Sequence, residues 1–185
     1  MAGDARLFVL ATVDRLGEAH GHEIMREADI DHVDEWAHVS TGSIYSAVRK
    51  LQVEGHITGV RSEQMGKYPA RTVYKLTLTG TQALHDARAE ALYAAGLPTD
   101  PFDLALSVSD GLPADVLEAA LRARLEWYEQ EQSQRLAALD QLSHRLEPTA
   151  RAVFEHMLVR LQTEIDWHVS LLKDVGSFET RRGSD

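Results

Sequence analysis

The sequence predicts a mainly α-helical fold with one small β-hairpin, and three observations carry that prediction. Apolar residues recur every three or four positions through most of the chain. Two short β-type segments, Ile57 to Val60 and Thr72 to Leu76, flank a connection punctuated by Gly66 and Pro69. Pro98, Pro101 and Pro113, with Gly96 and Gly111 among them, separate this mixed half from a helical C-terminal half.

Leu7, Leu10, Ala11 and Val13 place a first helix, closing at Leu16-Gly17, where glycine suits a helix C-terminus. A second helix fits His22 to Ala28. The acidic run Asp29 to Glu35 is too broken for a confident helix period and is expected to be a loop or frayed helix anchored by Trp36. Ser40 is a good N-cap for a third helix, which turns Ile44, Val48 and Leu51 inward and stops at Gly55. Its outer face then carries Ser43, Tyr45, Ser46, Arg49 and Lys50. On the second strand, Thr72, Tyr74 and Leu76 share one face and Arg71, Val73 and Lys75 the other, with Tyr74 and Leu76 expected in the core. Thr77 or Thr79 caps a fourth helix running to about Ala95.

Beyond the prolines, Ala114 to Leu146 forms a long amphipathic helix with Leu121 and Leu125 on its apolar stripe. Pro148 suits the first turn of the next helix, whose Phe154, Leu158, Leu161, Ile165, His168, Leu172 and Val175 step by four and three, a heptad seam. Two such helices alone cover too little of each other's apolar faces. A second copy of the chain is the simplest partner, with Leu121, Leu125, Phe154, Leu158, Leu161, Ile165, His168 and Leu172 at the dimer interface. His168 is polar on an apolar seam, which fits a device that fixes register and, less directly, a pH sensor. The domains expected are thus 1–96, a linker over 97–112, a two-helix dimerisation region over 113–175 and a flexible tail over 176–185.

With 185 residues and 44 % hydrophobic content, the chain can bury a core. It has no cysteine, which excludes disulfides and thiolate chemistry. No apolar run suits a bilayer span and no secretory signal stands at the N-terminus, so a cytoplasmic protein without a membrane partner is expected. His20 and His22 invite a metal reading, but their spacing puts them on different sides of a helix, and neither a metal site nor another cofactor is expected. Glu126 and Glu129 lie on a polar helix face with no nucleophile, base or phosphate loop near, so no catalytic residue and no enzyme is expected. The formal charge is -10 overall, yet 40–75 holds six basic residues against two acidic ones, +4, which leaves -14 for the rest. Such polarity would orient the molecule on a polyanion.

Three blocks carry a family resemblance. His20-Gly21-His22-Glu23-Ile24 resembles the start of the second helix of PadR-type transcriptional regulators, with His22 where tyrosine is commoner. Val39-Ser40-Thr41-Gly42-Ser43-Ile44-Tyr45, continuing through Leu51 to Glu54-Gly55-His56-Ile57, resembles their recognition helix and the entry to the wing. Pro69-Ala70-Arg71-Thr72-Val73-Tyr74-Lys75-Leu76-Thr77, with Gly80 beyond, resembles the second wing strand and following helix. The resemblance implies a winged helix-turn-helix repressor, dimeric through its C-terminal helices and released from operator DNA by a small effector or stress signal.

A helix in the major groove presents its N-terminal residues to base edges, and Ser40, Thr41, Gly42 and Ser43 are small enough for close approach. Tyr45 suits a phosphate or sugar, Arg49 a guanine or phosphate, and Lys50 a phosphate. On the wing, Arg61, Lys67, Tyr68 and Arg71 would follow the backbone or enter the minor groove. Trp127, Tyr128 and Trp167 are candidates for an effector pocket, with ordinary packing as the competing role. The alternative function is a dimeric protein-interaction module that keeps the winged scaffold without reading DNA.

Overall fold

The structure, a computed structural model, describes residues 2–30, 33–64, 70–142 and 146–177. It runs α1 (Ala2–Leu16), β1 (Ala19–His20), α2 (Gly21–Ile30), a 3-10 turn (Val33–Glu35), α3 (Thr41–Val53), β2 (Ile57–Glu63), β3 (Arg71–Leu76), α4 (Leu78–Tyr93), α5 (Pro101–Ser107), α6 (Ala114–Leu142) and α7 (Pro148–Asp174). The chain divides into two units, Met1–Leu97 and Pro98–Asp185. Among the described residues no helix is long and apolar enough to cross a membrane.

In the first unit, Val9, Leu10 and Val13 of α1 are fully covered and meet Ile24 of α2, Ile44 and Leu51 of α3 and Leu84 of α4 in one cluster. Burying a side chain of this size stabilises by about 1.5–3 kcal/mol, against a net of about 1 kcal/mol for a typical hydrogen bond. Packing therefore decides that the helices meet, and caps decide where they end. Ser40 is extended (φ -123°, ψ 162°) and caps α3 as expected. Gly55 closes it at φ +75°, a left-handed conformation that a side chain would strain.

The sheet has the order β1-β3-β2, all antiparallel, with Ala19 opposite Tyr74 and Ile57 opposite Leu76. A bulge between Gly59 and Arg61 shifts the register of β2. The two-residue strand β1 goes beyond the expected hairpin, being too short to leave any period in the sequence. Its pairing makes β3 the central strand. Val73 is then the deepest residue of β3, 2 % exposed, while Tyr74 and Leu76 pack half-buried against the same core. Trp36 does not anchor the 33–39 segment by burial, since it is 42 % exposed. Val33 and Val39 do so, because the amides of Trp36 and Ala37 fold back onto the Val33 carbonyl and leave the two valines inward.

In the second unit α6 and α7 pack along each other. The stretch expected as a linker, 97–112, instead contains α5. Asp100 accepts a hydrogen bond from the Phe102 amide at 2.8 Å and Pro101 occupies the first turn, so a cap and a preset φ outweigh the surrounding breakers. Phe102 and Leu106 of α5 then cover Leu117 and Leu121 of α6, together with Leu171, Leu172 and Val175 at the end of α7. Of the expected tail, Gly176 and Ser177 continue from α7 as a 3-10 turn, and the rest lies outside the described residues.

The start of α4 is pressed against the turn that follows α3. Thr77 donates its hydroxyl to the Gly55 carbonyl at 2.7 Å and accepts from the Gly80 amide at 3.0 Å, while its own amide reaches the His56 carbonyl at 3.0 Å. A Cβ at Gly80 would lie 1.9 Å from that His56 oxygen, whereas one at Gly42 would meet nothing within 4 Å. Gly80→Ala is expected to destabilise the first unit by about 3 kcal/mol. Urea unfolding checks this, with Gly42→Ala expected to unfold at or above the wild-type midpoint; equal midpoints for the wild type and Gly80→Ala would contradict the close approach.

Candidate functional site

The N-terminal turn of α3 is built by reciprocal capping. The Ser43 amide donates to the Ser40 hydroxyl at 3.2 Å, the Ser40 amide donates to the Ser43 hydroxyl at 2.7 Å, and that hydroxyl donates on to the Ser40 carbonyl at 2.8 Å. Both serines therefore hold the helix end as well as facing outward. Beside them Thr41 and Gly42 are exposed, and among the described residues the hydroxyls of Thr41 and Tyr45 make no hydrogen bond. Tyr45 is 49 % exposed.

The expected cations fall into two groups. Arg49, Lys50 and Arg71 form no ion pair among the described residues. Arg61 is different: Glu18 and Glu63 both accept from its guanidinium, and the Glu18 hydrogen bond, then the Glu63 one, push its pKa up. Its charge is largely answered within the chain. Lys67 and Tyr68 lie outside the described residues.

An open cleft of about 650 Å³ lies beside this turn, lined by Thr41 and Tyr45 of α3, Arg71 of β3, and His20, His22 and Arg26 at and within α2. The reading of the sequence missed His22 and Arg26 as part of this surface. Their spacing of four on one helix face was the available signal. His20 is committed to capping: its Nδ1 accepts from the Glu23 amide at 3.1 Å and its own amide donates to the Glu23 carboxylate at 2.9 Å. Among the described residues no group of three or more metal-ligating side chains comes together.

In the second unit the expected seam divides. Leu121, Ile165 and His168 are buried within the chain itself, while Leu125, Phe154, Leu158, Leu161 and Leu172 are half-buried. His168 is 0 % exposed and fully bonded. Arg124 donates from Nε to its Nε2 at 3.1 Å, so the ring hydrogen sits on Nδ1, which donates to the Glu164 carbonyl at 2.8 Å.

Around that imidazole the aromatic rings assemble. Trp167 meets it edge to face at 4.9 Å and Tyr128 at 5.1 Å, and Trp127 stands edge-on to Tyr128 at 5.0 Å. Trp127, Tyr128 and Trp167, the effector candidates, are thus joined through His168. Arg124 also donates to the Tyr128 hydroxyl at 3.0 Å and to the Asp100 carboxylate, and its guanidinium lies 4.3 Å from the Phe102 ring centre. Burial pushes the Tyr128 pKa up.

The Asp100 carboxyl is held below its ordinary range, first by the Phe102 amide and then by Arg124. A depressed carboxylate contributes stability that is present above its unfolded value, about 3.9, and that is lost as pH falls through the folded value below it. Acid unfolding of the second unit, followed by tryptophan fluorescence, should therefore begin at lower pH in Asp100→Asn than in the wild type when the two start from equal stability at neutral pH, because the variant has no Asp100 contribution to lose; superimposable acid limbs would contradict the pairing.

Residues 9–86 match the sequence model of the transcriptional regulator PadR-like family. No curated protein matches the chain. Among solved structures it is similar to Bacillus subtilis PadR in complex with operator DNA, at 22 % identity over 92 % of this chain and 98 % of that one, with a TM-score of 0.74. It is similar to Bacillus subtilis PadR in complex with p-coumaric acid, at 22 % identity over 93 % and 97 %, TM-score 0.69. The Vibrio cholerae virulence activator AphA aligns at 17 % identity over 92 % and 98 %, TM-score 0.69. At these identities the likeness is one of fold.

Proposed function

We propose, from the match of residues 9–86 to the sequence model of the transcriptional regulator PadR-like family, that the chain is a dimeric cytoplasmic repressor that reads operator DNA with α3 and is released by a small effector. The observation that carries this reading is the cleft that sets Thr41 and Tyr45 of α3 opposite Arg71 of the wing, with Arg49 exposed one turn beyond Tyr45 on the same helix and Lys50 exposed next to it. Ser40 to Ser43 would approach base edges, Tyr45 and Lys50 the phosphates, and Arg49 a guanine or a phosphate. Lys67 and Tyr68 would extend the contact from the hairpin tip, with Arg61 secondary because two carboxylates already hold it.

The half-buried leucines of the seam and Phe154 would close against a second copy, which supplies the two-fold symmetry of a palindromic site. Trp127, Tyr128 and Trp167 would face the effector. Structures of Bacillus subtilis PadR with operator DNA and with p-coumaric acid support both halves of the proposal.

The test is binding of the full chain to fragments selected from genomic DNA, measured by fluorescence anisotropy at several salt concentrations. Two chains per site and a steep fall in affinity with salt are expected. Replacing Arg49 and Arg71 together by alanine should weaken binding at least about ten-fold, while Arg61→Ala should leave it within about two-fold. Salt-insensitive binding, or equal loss from all three arginines, would instead favour a protein-interaction surface.

A further inference from the structure

The cleft beside α3 carries more donors than α3 itself supplies. His22 and Arg26, both exposed, stand one turn apart on α2 and line it together with Thr41 and Tyr45 of α3 and Arg71 of β3. The Tyr45 ring comes up against the start of α2, since a Cβ at Gly21, the residue before His22, would lie 3.8 Å from its Cε1. The hydroxyl-bearing end of that ring is thus beside the first turn of α2.

The carboxylates nearby are largely committed. Glu23 accepts from the His20 amide at 2.9 Å, and Glu27 gives its Oε2 to Arg15 at 2.8 Å. Arg26 meets only the other Glu27 oxygen, at 3.6 Å, beyond hydrogen-bond range, and keeps 66 % of its side chain exposed. Asp29, the lining carboxylate with no ion pair among the described residues, lies two turns along α2 from His22. His22 makes no hydrogen bond or ion pair among the described residues. Cations and hydroxyls left open on both sides of one cleft suit a backbone phosphate.

We propose that His22 and Arg26 hold an operator phosphate from α2, across the cleft from Arg71, and that protonation of His22 completes this clamp, so that operator affinity rises as pH falls. The proposal rests on the DNA reading above and adds a contact outside α3 and the wing, together with its control. Imidazole alone among side chains ordinarily changes charge between pH 5 and 8. Neutral, it offers a phosphate one N–H; protonated, it offers a second donor and a full charge. The groups around His22 are His20 of β1, Glu23, Arg26 and Asp29 of α2, Tyr45 of α3 and Arg71 of β3. A phosphate in the cleft answers His22, Arg26 and Arg71 at once, so proton uptake by His22 and DNA binding favour each other. His20 works the other way: its Nδ1 accepts from the Glu23 amide at 3.1 Å, and a proton there would break that cap without adding a contact.

Fluorescence anisotropy of the full chain on its selected operator fragment, near pH 6 and near pH 8 at several salt concentrations, tests this. With two chains per site, wild-type affinity should be about ten-fold higher near pH 6, and the salt slope steeper by about two, one further phosphate per chain. His22→Gln, which keeps a neutral donor, should match the wild type near pH 8 and change by less than about two-fold toward pH 6. His22→Lys should keep the tighter affinity at both pH values. Arg26→Ala should weaken binding about three-fold or more at both.

An equal rise in affinity in His22→Gln, a wild-type affinity that is flat across this range, or an unchanged salt slope would overturn the proposal while leaving the DNA reading intact. No operator binding by any form at either pH would defeat the DNA reading and this inference with it.

Discussion

The contact between Gly80 and the His56 carbonyl is the constraint on which the arrangement of α3, β2 and α4 depends. Three elements end or begin within a few residues of it: α3 stops at Gly55, β2 starts at Ile57 and α4 starts at Leu78. Thr77 ties them by giving its hydroxyl to one side of the turn and its amide to the other. Each bond alone is worth about 1 kcal/mol net, too little to hold a hairpin against a helix. The close approach that only a glycine permits turns these weak ties into a fixed angle. α3 and the β2–β3 hairpin are positioned by this junction, not by the exposed residues proposed to touch DNA.

Charge follows a similar local logic. A chain at -10 overall is repelled by a polyanion except where its own carboxylates are absent. Glu18 and Glu63 hold Arg61, and Glu54 holds Arg6 at the far end of α3. Among the described residues of α3 and β3, Arg49, Lys50, Arg71 and Lys75 form no ion pair, and the exposed Thr41 and Tyr45 stand on α3 with them. The distribution of ion pairs thus selects which cations can serve a phosphate, a choice that net charge does not express.

Much of this was legible in the sequence wherever the signal is local. Ser40 and Gly55 bracket α3 because a cap and a left-handed glycine act within one turn. Long apolar periods placed α6 and α7 for the same reason. The misses share a different cause. β1 depends on pairing with a strand more than fifty residues away, and the Arg61 to Glu18 pair spans forty-three. α5 hid among prolines because its Asp100 cap was read as part of a linker. On the seam of α7, periodicity identified buried positions but not what buries them: His168 is satisfied by Arg124 of the same chain. The effector candidates came from aromatic character alone, and their link through His168 needed three dimensions.

A pair of α3 helices in successive major grooves is the claim that most needs a direct test. Dimethyl sulphate interference on an operator fragment bound by the full chain reports guanine N7, which lies in the major groove, separately from adenine N3 in the minor groove. Two patches of N7 interference, related by a two-fold axis and centred about one helical turn or a multiple of it apart, are expected. A single patch, or interference confined to adenine N3, would contradict it.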